Sequence, residues 1–333
     1  MDIATHSLAS LALARGFFPH RRWPIVAGML FAGTIADVDM ISMLFGPGAY
    51  FAAHRTFTHS IVGTIAVILL AALFTGYLAK RKNEPLAGII LPLAMAAALH
   101  VLLDLLQSEG VALLWPIRPT PFAMDWLPGI DPWILAILIA GILLPELFRL
   151  VGSEIGAKDK IPRGRGGAIV ALTLAVVFIG ARAMFHSGSI AELEAHAYHG
   201  ESARKVGAYP DALSILNWHG VVETQSQLCQ ADVPVGPRRS FDAERADCLH
   251  KPEPSHELEA AQKTKVARAY LEAAPFPRAV VGKTTEGYEV VIRSMGDLAD
   301  GEMRHRVAAR VLLDSKFAVS SEGFVWMTDI RLR

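Results

Sequence analysis

Apolar residues in the first 186 positions do not alternate or mark one helical face; they run on. Four nearly unbroken stretches, 24–44, 61–79, 86–106 and 133–151, and a fifth at 168–185 approach or reach the roughly 20 residues a helix needs to cross ~30 Å of hydrocarbon. A shorter run, 3–18, predicts a helix lodged partly in the bilayer. One such segment can be a core helix of a soluble protein, but five in succession predict a membrane region. Beyond residue 186 the runs shorten. A helical link is expected over 187–200, a strand around Trp218 within 213–227, and a helix over 255–273 with Ser255 as N-cap and Glu257 and Glu259 in its first turn. Strands are expected over 288–294, 307–319 and 324–333, and a long loop over 232–254. The predicted fold is thus an α-helical polytopic membrane domain, about five spans plus a short N-terminal helix, over residues 1–186. A small α+β soluble domain follows over 187–333.

Composition sharpens this division. The 333 residues carry no net charge and are 52% hydrophobic, with a mean hydropathy of +0.35. The first 186 hold 25 charged side chains and the last 147 hold 39, so only the second part has an ordinary aqueous surface. A basic nucleic-acid binder and an acidic disordered tail are both excluded, and no nucleic-acid partner is expected. Met-Asp at the start lacks the basic stretch of a cleaved signal peptide. Arg15, Arg21 and Arg22, then Lys80, Arg81 and Lys82, then Arg149, Lys158, Lys160, Arg163 and Arg165 fall in alternate connections, whereas the opposite ones hold only Arg55 and Arg118. The positive-inside rule puts the cation-rich loops in the cytoplasm. The N-terminus and residues 187–333 are then expected on the outer side of the membrane. Cys229 and Cys248 fall in that outer domain; they either form a disulfide in an oxidising compartment or remain two separate thiols.

Ionisable groups inside a bilayer are costly and mark function. The membrane region has His6, Asp37, Asp39, His54, His59, His100 and Asp104 in or beside its spans. At 1.5 Å per residue, Asp37 and Asp39 lie ~20 Å above Pro24, and His100 and Asp104 lie ~21 and ~27 Å above residue 86. With His59 opening the second span from outside, all seven groups come to one level near the outer surface. His100 and Asp104 are spaced i, i+4 on one face. Imidazole with carboxylate suits a divalent ion, zinc before manganese, and this many ligands allows one or two ions. The alternative is a buried polar network that joins helices.

The segment His54-Arg55-Thr56-Phe57-Thr58-His59-Ser60 concentrates the chemistry. The two imidazoles converge only if a helix starts between them, with Thr56 or Thr58 as N-cap. Thr5-His6 and Thr58-His59 repeat a Thr-His pair whose hydroxyls can support the imidazoles. Arg55 is expected at the mouth of the site, either clamping a substrate phosphate or carboxylate or snorkelling to the interface. In the soluble part, His196 and His199 have i, i+3 spacing, which fits a solvated helix face better than a metal pair.

The ordered set Met1-Asp2-x-x-Thr5-His6, Ala36-Asp37-Val38-Asp39, His54-Arg55-x-x-Thr58-His59-Ser60 and His100-x-x-x-Asp104 resembles the YdjM-like family of bacterial inner-membrane proteins, classed as metal-dependent hydrolases. Gly110-Val111-Ala112-Leu113-Leu114-Trp115-Pro116 and Ile130-Asp131-Pro132 fit the same pattern, and the resemblance covers about residues 1–150. It implies that His6, Asp37, Asp39, His54, His59, His100 and Asp104 are the metal-site positions. Gln107-Ser108-Glu109-Gly110 departs from the Thr-Ser that members often carry there. The ligand order is also distantly similar to zinc-dependent phospholipase C, which implies a phosphoester. The expected activity is hydrolysis of a small-molecule or lipid-linked phosphoester by a metal-activated water, with Asp39 or Asp104 as base and Arg55 holding developing charge. The bilayer is the expected partner; a protein partner of the outer domain is left open. The rival expectations are an ion- or proton-conducting protein and a scaffold with a structural His/Asp network.

Overall fold

The computed structural model describes residues 1–20, 22–79, 86–154, 164–236, 241–296 and 306–329. Arg21, Lys80, Arg81, Lys82, Lys158, Lys160 and Arg163, on which the expected orientation leans, lie outside the described residues, as does the end of the expected last strand, 330–333. The chain packs as two units. The first comprises residues 1–39 and 55–182, the second 40–54 and 183–333.

The first unit is helical: α1 (Ile3–Phe17), α2 (Trp23–Ala32), α4 (Ile61–Leu78), α5 (Leu86–Leu105), α6 (Pro132–Glu154) and the greater part of α7 (Arg165–Glu194). Among the described residues, five segments are long and apolar enough to cross a membrane: Trp23–Phe45, Ile61–Leu78, Gly88–Leu105, Pro132–Leu150 and Arg165–Glu194. This is the helical membrane domain that the apolar runs predict. The short helix α1 begins at Asp2, whose carboxylate caps the Thr5 N–H at 3.0 Å. It packs through Ala9, Ala12 and Leu13 into two apolar clusters shared with α5 and α6, and with α2 and α4.

The first span is not one continuous α-helix. After α2 the chain turns at Gly33 and Thr34 and continues as a 3₁₀ helix, Ile35–Phe45. α1 approaches closely here: a side chain at Gly33 would run into the Ser10 hydroxyl. Thr34 Oγ1 bonds back to the Leu30 carbonyl at 2.8 Å, competing with the helical ladder. Asp37 and Asp39 therefore stand on the tighter helix, not on the single α-helix that the depth arithmetic assumes. Between the first two apolar runs, residues 47–53 form α3 (Pro47–Ala53). Its Tyr50 and Phe51 are buried in the second unit's core, so burial rather than local pattern makes this helix.

The second unit is α+β, built from two antiparallel meanders. One orders β3 (Lys205–Pro210), β4 (Asn217–Glu223), β5 (Gln227–Pro234) and β6 (Asp247–His250); the other orders β7 (Pro277–Lys283), β8 (Gly287–Ser294), β9 (Val307–Asp314) and β10 (Val319–Trp326). A two-stranded ribbon of β1 (Ala197–Tyr198) and β2 (Glu201–Ser202) precedes them. The expected helix over 255–273 is two helices, α8 (His256–Gln262) and α9 (Lys265–Ala273), because Thr264 caps a fresh start by accepting from Ala267 N at 3.3 Å. The expected link over 187–200 is the end of α7, unbroken to Glu194. Cys229 and Cys248 are directly opposed on β5 and β6, with Cα atoms 4.0 Å apart, and form a disulfide.

Candidate metal centre

The first unit gathers its buried ionisable side chains where α1, the 3₁₀ segment, the start of α4 and the end of α5 meet. The α1 helix supplies His6, the 3₁₀ segment Asp37, and α5 both His100 and Asp104 from adjacent turns. Donor atoms of these four lie within 4.8 Å of one another, and all four residues are buried. His6 stacks on His100 with ring centroids 3.9 Å apart, and its Nε2 is 3.3 Å from Asp104 Oδ1. His59 enters beside them, its Nε2 being 3.0 Å from Asp104 Oδ2, 3.7 Å from Asp37 Oδ1 and 3.1 Å from His100 Nε2.

Hydrogen bonds behind the cluster set which nitrogens face it bare. His100 Nδ1 is 2.9 Å from the Gly33 carbonyl. A carbonyl only accepts, so Nδ1 carries the proton and Nε2 turns a lone pair inward. Thr58 Oγ1 donates to Asp39 Oδ2 at 2.6 Å, which uses the hydroxyl proton. His59 Nδ1, 2.9 Å from that hydroxyl and 3.2 Å from Asp39 Oδ2, must then be a donor. Its Nε2 likewise faces the cluster. His100 Nε2 and the carboxylates of Asp37 and Asp104 converge around His59 Nε2, and His6 Nδ1 and Asp37 Oδ2 have no hydrogen-bond partner. A buried cluster of this kind could hold a metal ion. The residues thus fit a divalent ion, and imidazole with carboxylate is a zinc-type donor set. Burial works against a charge on His59, yet its bonds to Asp104, Asp37 and Asp39 outweigh this and raise its pKa to about 10. A proton and a metal ion therefore compete for the same nitrogen.

A cationic layer backs Asp104. Arg55 NH2 lies 3.1 Å from Asp104 Oδ1 and 2.6 Å from Gln107 Oε1, and NH1 lies 3.4 Å from Glu109. The α-amino nitrogen of Met1 contacts Asp104 and Gln107 as well. Gln107 donates its amide to the carbonyls of Pro128 and Gly129, which fixes the network to the loop before α6. Arg55 has a left-handed backbone, φ 54°. Its N–H donates to Asp39 Oδ2 at 2.9 Å and its carbonyl accepts from Ala112 N at 2.9 Å, and these bonds hold the strained conformation.

The profile of the YdjM inner membrane protein family matches residues 1–188. The chain belongs to that family. It is also similar to the uncharacterized protein YfhP of Bacillus subtilis (strain 168), at 27% identity over 146 residues, 43% of each chain. The match thus spans less than half of that relative's length. No solved structure matches the chain.

Within this YdjM-family chain the seven sequence candidates have three different placements. His6, Asp37, His100 and Asp104 meet, with His59 against them. Asp39 stands one bond back, holding Thr58, His59 and the Arg55 backbone. His54 belongs to the second unit, where it ends α3 and stacks on Tyr50 with centroids 4.7 Å apart. The helix after it is capped by Ser60, which accepts from Gly63 N at 3.0 Å, so neither Thr56 nor Thr58 serves as the expected N-cap. Only one of the paired threonines supports a histidine, because Thr5 Oγ1 turns instead to Asp2 at 2.5 Å. Arg55 is not at an open mouth: its side chain is 5% exposed and already engaged. Gln107 and Glu109 are the residues that sequence reasoning missed. Their signal was the departure from Thr-Ser at just these positions. His196 and His199 do not pair; His196 Nδ1 bonds the Glu192 carbonyl, and His199 sits in the turn between β1 and β2.

Proposed function

We propose that this protein is a membrane-bound metal-dependent hydrolase that cleaves a phosphoester, carried on a lipid-linked substrate, at the outer face of the inner membrane. One observation carries the reading. The Nε2 atoms of His59 and His100 converge with the carboxylates of Asp37 and Asp104 in a buried site whose donor set suits a divalent cation. His6, Asp37, His100 and Asp104 would hold the ion, with His59 beside them. A bound divalent ion supplies Lewis acidity and lowers the pKa of a water to about 7. Asp39 and the Gly33 carbonyl keep two imidazoles turned inward. Asp104 or Asp39 accepts the proton of the attacking water, and that proton passes on to the departing alkoxide. Arg55 keeps a fixed positive charge beside Asp104, and its longest contact, to Glu109, is the one a phosphoryl oxygen can replace. The outer-face assignment rests on the loop cations and the positive-inside rule. A conduction path is disfavoured because α4 has no charged residue or histidine and α5 has none between residues 88 and 99.

The test is elemental mass spectrometry of chelator-free protein in mild detergent, beside a His100→Ala/Asp104→Ala variant. At least one equivalent of zinc or manganese, lost in the folded variant, is expected, followed by metal-dependent release of phosphate or headgroup from phospholipid substrates. Folded protein without stoichiometric metal overturns the hydrolase reading. Metal without turnover on any phosphoester returns it to a structural site.

A further inference from the structure

The second unit carries a different arrangement of charge. On the β7–β8 ladder Arg278 is directly opposite Arg293, flanked by the pairs Pro277–Ser294 and Ala279–Ile292. Directly opposed residues of an antiparallel pair have Cβ atoms about 4.5–5.5 Å apart, and like charges there repel. Alternation fixes the face. Val290, Ile292 and Ala279 point into the core with α8 and α9, so Arg278 and Arg293 point out of the opposite face.

Among the described residues, neither guanidinium has a carboxylate within ion-pair reach. The neighbouring Arg310 does, with Nε 2.5 Å from Glu289. The Nε atoms of Arg278 and Arg293 are both buried without a hydrogen-bond partner. Burial, and then Arg293, hold the Arg278 pKa below the usual arginine range. A buried donor left unpaired is costly, and here two such donors stand side by side along with mutual repulsion. Two positions along, Phe276 and Met295 bring apolar and aromatic cover: Met295 N bonds the Phe276 carbonyl at 2.8 Å, and Lys205 Nζ sits 4.5 Å over the Phe276 ring. A third cation is thereby held close to the same end of β7.

We infer that Arg278 and Arg293 form a binding site for a tetrahedral dianion, a phosphate or phosphoryl group, which bridges the two guanidinium forks. Arginine matches phosphate oxygens in pairs, and a shared dianion turns the repulsion between the two side chains into a cradle. The inference concerns the second unit alone and stands whether or not the metal centre is catalytic.

The full chain in detergent, titrated with inorganic phosphate by calorimetry, tests the soluble source of this chemistry. The full chain in nanodiscs with and without phosphatidic acid, followed by thermal unfolding, tests the lipid source. Each is compared with Arg278→Gln, with Arg293→Gln and with Arg268→Gln, an exposed cation of α9. Without phosphate the two ladder variants should be as stable as the parent or more so, since repulsion is relieved, which separates loss of binding from loss of fold. With ligand, affinity should fall at least tenfold in both and stay unchanged in Arg268→Gln. A response to inorganic phosphate identifies a free phosphate group as sufficient. A response to phosphatidic acid alone identifies a lipid headgroup. Equal responses of the parent and both ladder variants to each probe, or no binding of either, overturn the site.

Discussion

His59 Nε2 and His100 Nε2 face each other at 3.1 Å, while the opposite nitrogen of each ring is held by an acceptor from behind: Asp39 for His59 and the Gly33 carbonyl for His100. Two imidazoles oriented this way aim Nε2 at one point, and Asp39, standing one bond back, would set part of the affinity for an ion held there. Asp39→Asn keeps the size and the acceptor oxygen but removes the charge that favours a proton on His59 Nδ1. Loss of such an orienting partner typically costs 10–100-fold in metal affinity. Titration against a competing chelator should show a loss in that range, with full occupancy recovered at high metal. Unchanged affinity would show that His59 is not a ligand.

The disulfide gives a prediction about both stability and compartment. Cys229 and Cys248 are 19 residues apart and close the connection between β5 and β6. A bridge of that length stabilises by about 3 kcal/mol through the unfolded chain. Cys229→Ser/Cys248→Ser should therefore lower the urea midpoint of the second unit by an amount equivalent to about 2–4 kcal/mol. In intact cells, thiol-reactive maleimide should label neither cysteine without prior reduction. Labelling of the untreated protein would place the second unit in a reducing compartment and reverse the proposed orientation.

Much of this fold and site was legible in the sequence because the signals were local. His100 and Asp104 share a helix face by spacing alone, and five apolar runs announce five spans. What was hidden depends on contacts distant in the chain. The hydrophobic run through Gly33 shows no break, and the close approach of Ser10 of α1 at that turn cannot be read from it. A Gly-Pro-Gly sequence reads as loop around residues 46–48, yet Tyr50 and Phe51 fold it into α3 by burying themselves in the second unit's core. Strand β7 begins with Pro277 and contains Gly282, both poor strand formers, and is held by its pairing with β8. His54 sits in the richest motif of the chain, but it lies on the other side of the boundary between the units.

Glu201 should make the second unit sensitive to acid. Its carboxylate accepts from Ser226 Oγ at 2.6 Å and from Ser226 N at 2.9 Å. The Ser226 hydroxyl, then Thr224 and the backbone, hold its pKa down to about 2, against an ordinary 4.5. A depressed carboxyl pKa means the unfolded chain binds the proton first. The stabilisation is therefore present above pH 4.5 and is lost as pH falls from there to about 2. Urea midpoints measured across that window should fall more steeply for the parent than for Glu201→Gln, and the two curves should converge at the acid end. Parallel curves would mean that these hydrogen bonds do not favour the ionised form.

Asp131 couples two helices in a way that separates its charge from its oxygens. Its Oδ1 accepts the N–H groups of Trp133 and Ile134 at 2.9 and 3.0 Å, capping α6, while Oδ2 lies 3.3 Å from Arg182 NH2 of α7. Both side chains are fully buried. Burial raises the Asp131 pKa against the lowering pull of the two N–H groups and Arg182. Removing one member of a buried ion pair strands the other and costs about 3–5 kcal/mol, whereas replacing both by groups of similar shape can be nearly neutral. Asp131→Asn retains the cap but leaves Arg182 without its carboxylate, and Arg182→Met leaves the carboxylate without its cation. Each single variant should unfold at markedly lower temperature in detergent. The double variant Asp131→Asn/Arg182→Met should recover most of the loss, because the asparagine still caps α6 and the methionine fills the space beside Phe178, over which the guanidinium lies at 5.5 Å. If the single losses simply add, the two residues stabilise the bundle independently and the pair is not a unit.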